Sequence, residues 1–171
     1  MEPIVSIIMG STSDLKVMEG AAKYFEEQGI PFEMNALSAH RTPKQVLAFA
    51  EKAMSRGIKV IIAGAGGAAH LPGVIAAMTP LPVIGVPIRA SISMDGWDSM
   101  LSMIQMPPGI PVATVGMDNS TNAAILASQI IGVGDKAVMD KVIAYKANLE
   151  KKIEKANQDL AEVKTWKFKT N

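Results

Sequence analysis

The chain has 171 residues, 49% of them hydrophobic and 19% charged, a balance that suits one buried core and excludes a disordered tail. A formal net charge of +1 gives no field to hold a nucleic acid, and the absence of cysteine excludes disulfides, thiolate nucleophiles and thiolate metal sites. The first apolar run, residues 4–9, is too short for a secretory h-region or a membrane span, so a cytoplasmic enzyme or binding protein is expected.

In chain order, residues 4–9 are short and β-branched and predict a first strand. Ser13 and Asp14 then open an amphipathic helix to about Gln28, which Gly29 stops. Residues 32–36 predict the second strand, and Thr42-Pro43 opens a helix that ends at Gly57. The third strand is predicted at 58–63, followed by a short helix from Leu71 or Pro72 to about Met78. Strands at 83–87 and 112–116 and helices at 95–105 and 120–131 complete the alternation. That rhythm is one of β-α units on a parallel sheet. Ile58, Val60, Ile61 and Ile62 scarcely alternate with polar residues, so helices are expected on both faces.

From about residue 135, Val138, Val142, Tyr145, Leu149, Ile153, Ala156, Leu160 and Val163 advance by threes and fours along one helical stripe. A helix of about 30 residues would be roughly 45 Å long. A small domain does not cover that length, so the distal half is expected to pack on another subunit, the alternative being a frayed, solvated end. Residues 141–171 hold eight Lys against four acids, the composition of a solvated face. The expectation is one domain over 1–171, with a core to about 134 and a terminal helix at about 135–168.

Ligands of open parallel sheets bind beyond the carboxyl ends of the strands, which singles out three loops. Residues 9–14 offer a glycine, three hydroxyls and free N–H groups at a helix start, suited to phosphate, with Asp14 able to accept from ribose hydroxyls. The competing reading makes Ser13 or Asp14 only an N-cap. Residues 38–43 set His40, a proton carrier near neutral pH, beside Arg41, whose fork fits phosphate or carboxylate, the competing reading being that His40 is a hydrogen-bonded structural histidine. Every residue from Ala63 to Ala69 is glycine or alanine, which suits either close approach of a ligand to the backbone or a tight strand-to-helix crossing.

Several chemistries lack their residues. No G-x-x-x-x-G-K-[ST] is present, and the partial dinucleotide pattern at Gly64-Ala65-Gly66 ends on Ala69. Two histidines make a poor zinc site, and no serine lies in G-x-S-x-G. The twelve methionines suit core filling, and Met106-Pro107-Pro108-Gly109 predicts a rigid turn placed to close one side of the pocket.

Met9-Gly10-Ser11-x-Ser13-Asp14, Ser38-Ala39-His40-Arg41-Thr42-Pro43, the run from Ala63 through His70-Leu71-Pro72-Gly73, and Gln105-Met106-Pro107-x-Gly109-Ile110-Pro111 together resemble the PurE family. The likeness spans about residues 4–131, and Asn122-Ala123-Ala124 continue it. It implies a three-layer α/β/α flavodoxin-like fold with a five-stranded parallel sheet and a homo-octamer with swapped C-terminal helices. It also implies conversion of N5-carboxyaminoimidazole ribonucleotide to 4-carboxy-5-aminoimidazole ribonucleotide, with no cofactor and no metal. Arg41 after the histidine and the all-small loop resemble the mutase class, whereas the direct aminoimidazole ribonucleotide carboxylases typically carry Lys there. Carried over by position, His40 is the proton-transfer residue, Ser11, Asp14 and Arg41 hold the ribose phosphate, and Ser13 and Ser38 assist. Gly66, Gly67, Ala68, His70 and Leu71 complete the implied substrate site. An ATP-dependent synthetase that makes the substrate is the implied functional partner. Thr12 and Pro108 depart from the family pattern, as does the long basic tail from about Lys151. The rival readings are a carboxylase using carbon dioxide, a phosphate-ligand sensor without catalysis, and a scaffold built on the terminal helix.

Overall fold

A computed structural model describes residues 2–170. In chain order it holds β1 (Val5–Met9), α1 (Leu15–Gln28), β2 (Phe32–Ala36), α2 (Pro43–Ala53), β3 (Val60–Gly66) and α3 (Leu71–Met78). There follow β4 (Val83–Ile88), α4 (Trp97–Ile104), β5 (Ala113–Thr114), α5 (Ser120–Gly132) and α6 (Lys136–Ala161). The strands form one parallel sheet in the order β2-β1-β3-β4-β5. This is the flavodoxin-like order, whose direction of winding reverses between β1 and β3.

Period-2 alternation sorts each central strand between two cores. Val5, Ile7 and Met9 of β1, Val60 and Ile62 of β3, and Ile84 and Val86 of β4 pack with Met18, Ala21 and Phe25 of α1 and Ala123, Ala124 and Ala127 of α5. On the other face, Ile8, Ile61 and Ala63 meet Val46 and Ala50 of α2, Ile75 of α3 and Met103 of α4. Both faces of the three central strands are therefore buried, as parallel strands require. At the crossing of α1 and α5, Ser120 Oγ accepts from Ala21 N–H at 3.1 Å and donates to the Val17 carbonyl. Gly20 makes that approach possible, because a Cβ there would lie 2.8 Å from Ser120 Oγ.

Four element boundaries before the terminal helix differ from expectation, each for a local reason. Ile58 lies outside β3, since its N–H closes the end of α2 on the Ala53 carbonyl after Gly57 turns at φ +89. At its other end β3 runs on through Gly64, Ala65 and Gly66, which pair with Val86, Pro87 and Ile88, so half of the presumed loop is strand. β5 shrinks to two residues, although Val115 N–H still reaches the Gly85 carbonyl at 3.1 Å. The start of α4 moves to Trp97 because Asp95 and Gly96 take φ of +54 and +86.

The terminal helix α6 begins where Asp135 accepts from Ala137 and Val138 N–H, and stops at Ala161, short of the expected 166–168. Its 26 residues extend about 39 Å. Val138 and Val142 are buried against the domain, whereas Leu149 and Ile153 farther along the stripe are 41% and 65% exposed. No helix among the described residues is long and apolar enough to cross a membrane.

Candidate active site

The three loops converge at the carboxyl end of the sheet around a cavity of about 540 Å³. After β1, Ser11 caps a single 3-10 turn, its hydroxyl accepting from Ser13 N–H at 3.4 Å. The cap is thus Ser11, and Asp14 makes no capping bond to α1. Asp14 is free for another use. It is 7% exposed, and burial pushes its carboxyl pKa above the ordinary value, against the opposing pull of Ser13, the Ser11 backbone and Arg41. Ser13 Oγ donates to Asp14 Oδ1 at 3.3 Å.

The loop after β2 is closed by Thr42. Its Oγ1 accepts from Ser38 N–H at 3.0 Å, and its N–H donates to the Ser38 carbonyl at 2.9 Å. Pro43 then starts α2 with the φ that a first helical residue needs. Arg41 lies across two loops: Nε donates to Ser38 Oγ at 3.4 Å and a terminal nitrogen to the Gly10 carbonyl at 2.9 Å. The guanidinium is held at the mouth of the cavity with donors to spare.

β2 and β3 flank β1, so their ends stand about 10 Å apart. His40 and His70 close that gap above β1. His40 Nε2 and His70 Nδ1 are 2.8 Å apart, with the rings edge to face at 5.0 Å between centroids. One of these nitrogens must carry the proton and the other must be bare, so the contact couples the two tautomers. His70 also stands at the N-cap position of α3.

Of the residues singled out from sequence, Ser11, Ser13, Asp14, Ser38, His40, Arg41, Gly66, His70 and Leu71 line the cavity. Gly67 and Ala68 do not. Gly67 turns at φ +61 and donates its N–H to Ser93 Oγ at 3.0 Å, and the Ala68 carbonyl accepts from Ser102 Oγ at 2.6 Å. Both are tied to the next segment of chain. The Met106–Gly109 turn forms, with Ile110 N–H on the Pro107 carbonyl, yet it packs Met106 beside Gly73 and does not line the cavity.

A fourth wall was missed in the sequence: Ala90, Ser91 and Ile92, just after β4. The rule of strand carboxyl ends applies to β4 as it does to β1, β2 and β3, so the signal was present. Beside it stand Ala65, Gly66 and Ala69, packed so closely that a Cβ on Gly66 would lie 2.5 Å from Ala90 Cβ. The cavity thus joins a carboxylate, a guanidinium, hydroxyls and a histidine pair on one side to a wall of small apolar groups on the other. Such a site suits a phosphorylated ligand that undergoes proton transfer, and His40 and His70 are both exposed within the single chain.

Residues 4–152 match the family model described as AIR carboxylase. The chain belongs to this family. An N5-carboxyaminoimidazole ribonucleotide mutase of Pyrococcus horikoshii is 53% identical over 162 residues, covering 95% of this chain and 91% of that protein. The mutase of Thermotoga maritima is 50% identical over 161 residues, 94% of each chain. Another relative, the phosphoribosylaminoimidazole carboxylase of Saccharomyces cerevisiae, is 54% identical over 90% of this chain, which spans only 27% of that protein's length. Among solved structures, Treponema denticola PurE superposes with a TM-score of 0.80 at 30% identity, over 92% of this chain and 98% of that one. An AIR carboxylase family member with the flavodoxin-like sheet is therefore what both sequence and fold give.

Proposed function

We propose that this chain is an N5-carboxyaminoimidazole ribonucleotide mutase of purine biosynthesis, working in the cavity around His40. The observation that carries the reading is that His40 lines one cavity together with Ala65, Gly66 and Ala69 and with Arg41 and Asp14. End-to-end similarity to mutases of the same length supports it.

In this reading Ser11, Asp14 and Arg41 hold the ribose phosphate: Arg41 takes phosphate oxygens and Asp14 takes ribose hydroxyls, with Ser13 and Ser38 assisting. His40 as imidazolium gives a proton to N5 as the N–C bond of the carbamate breaks and carbon dioxide is freed. Carbon C4 of the ring then attacks the same carbon dioxide, forming the new C–C bond. His40, now neutral, removes the C4 proton and returns to its starting state. The small wall keeps water from the freed carbon dioxide, so recapture wins over escape. Gly67 N–H is committed to Ser93 and does not serve the migrating carboxylate. The first turn of α3, entered at His70 and Leu71, offers its positive end instead.

The reading extends to a single cytoplasmic domain of 171 residues assembled as a homo-octamer, without cofactor or metal, and fed by an ATP-dependent synthetase. The uncovered stripe on α6 supports the assembly. A second reading, a carboxylase that adds free carbon dioxide to aminoimidazole ribonucleotide, is supported by the fungal carboxylases, which are just as similar over this domain.

The two separate on substrate. Purified protein is incubated with synthetic N5-carboxyaminoimidazole ribonucleotide, without ATP, bicarbonate or metal, and the 4-carboxy product is followed. Wild type is expected to form it, and His40→Asn to lose about 100-fold to 10,000-fold in turnover while still binding the nucleotide. Turnover only from aminoimidazole ribonucleotide plus carbon dioxide would give the carboxylase instead.

A further inference from the structure

We propose that Ser93, outside the cavity, is a positioning residue for this reaction: its hydroxyl fixes the 66–70 turn that forms the apolar wall and presents His70 to His40. The inference rests on the mutase reading for its kinetic part only.

Ser93 Oγ accepts from Gly67 N–H at 3.0 Å and from Ala90 N–H at 3.1 Å, and donates to the Ile88 carbonyl at 3.4 Å. Its single proton and both acceptor positions are used. Ala90 N–H has a second acceptor in the Ile88 carbonyl at 3.1 Å. Gly67 is buried, so loss of the hydroxyl would strand its N–H away from water.

The turn held in this way is an unusual one. Gly67 and Ala69 both take left-handed φ, +61 and +46, and an alanine stays there only when its surroundings impose it. Ala69 lines the cavity and leads directly into His70, whose ring meets His40 at 2.8 Å. Close packing reinforces the tie. A Cβ on Gly67 would lie 3.0 Å from Ile92 Cδ1, so the segment after β4 rests on the turn itself. Ser102 Oγ, from α4, holds the Ala68 carbonyl from the other end. One side of the turn therefore faces the reaction while the other is fastened to the segment carrying Ser93 and Ser102.

Three variants test this: Ser93→Ala, Ser93→Thr, which keeps the hydroxyl, and Ser55→Ala, just past the end of α2, where the hydroxyl bonds only the Lys52 carbonyl. With N5-carboxyaminoimidazole ribonucleotide as substrate, Ser93→Ala is expected to lower kcat about tenfold with KM within about twofold, because Ser11, Asp14 and Arg41 are untouched. It should also release more free aminoimidazole ribonucleotide and carbon dioxide per turnover, after subtraction of enzyme-free breakdown. Ser93→Thr should restore both, and Ser55→Ala should match wild type. Independently of any reaction, amide hydrogen exchange at 66–70 should quicken about tenfold in Ser93→Ala and stay at the wild-type rate in Ser93→Thr. Unchanged exchange at 66–70, a rise in KM with kcat intact, or a threonine variant as impaired as the alanine one would overturn the proposal. Faster exchange in a protein whose wild type makes no 4-carboxy product would overturn the mutase reading and leave the Ser93 tie standing.

Discussion

Asp14 carries a cost to the fold. The residue is 7% exposed, and burial outweighs the Ser13 hydroxyl and Arg41 in setting its pKa above the usual value. With the folded pKa above the unfolded one, protonation favours the fold. The group is harmless below the ordinary carboxylate pKa and destabilises as pH rises through the raised value. Asp14→Asn is therefore expected to raise Tm at pH 7.5 and hardly at all at pH 3.5, by calorimetry at both values. The same variant should raise KM roughly tenfold if Asp14 takes the ribose hydroxyls. The sequence made Asp14, His40 and Arg41 legible, because each follows a predicted strand and precedes a predicted helix. It did not show that Ser11 is the cap, since Ser11, Ser13 and Asp14 all have the chemistry for it. Nor did it show the pairing of His40 with His70, which depends on β1 lying between β2 and β3.

At the scale of elements, punctuation by glycine and proline was readable: Gly29 ends α1 in the left-handed region, and Pro43 opens α2. The reach of β3 was not readable, because a run of glycine and alanine has the composition of a loop, and its pairing with β4 uses backbone alone. That strand end is a place where one methyl group should matter. A Cβ on Gly66 would fall 2.5 Å from Ala90 Cβ and 3.1 Å from the Ile88 carbonyl, and neither neighbour is the tip of a flexible side chain. Gly66→Ala must push β3 and the segment after β4 apart. Overpacking of this kind costs about 1–3 kcal/mol, to be measured by urea unfolding. Turnover should fall as well, since the wall is displaced. An unchanged unfolding midpoint would mean that the two segments yield easily, and the small residues would then serve the ligand alone.

For the whole molecule, α6 poses the question of what covers its apolar stripe. The stripe was legible in the sequence as steps of three and four, whereas its cover was not, because only Val138, Val142 and, in part, Tyr145, whose ring packs on Tyr24, find it within this chain. Leu149, Ile153 and Leu160 are 41%, 65% and 46% exposed, on a helix that leaves the domain. If the proposed octamer covers them, Leu149→Glu with Ile153→Glu should leave the monomer's fold intact, since neither side chain is buried within it, and should disperse the assembly. Sedimentation velocity gives the size and far-UV circular dichroism the fold. The expected result is an eight-chain species for wild type and dimers or monomers with native helical signal for the double variant. Persistence of the octamer would place its contacts elsewhere, for instance on exposed Trp97 and Leu101 of α4. If helical signal is lost along with the assembly, the distal half of α6 holds its helix only when packed, as marginal long helices do without tertiary cover.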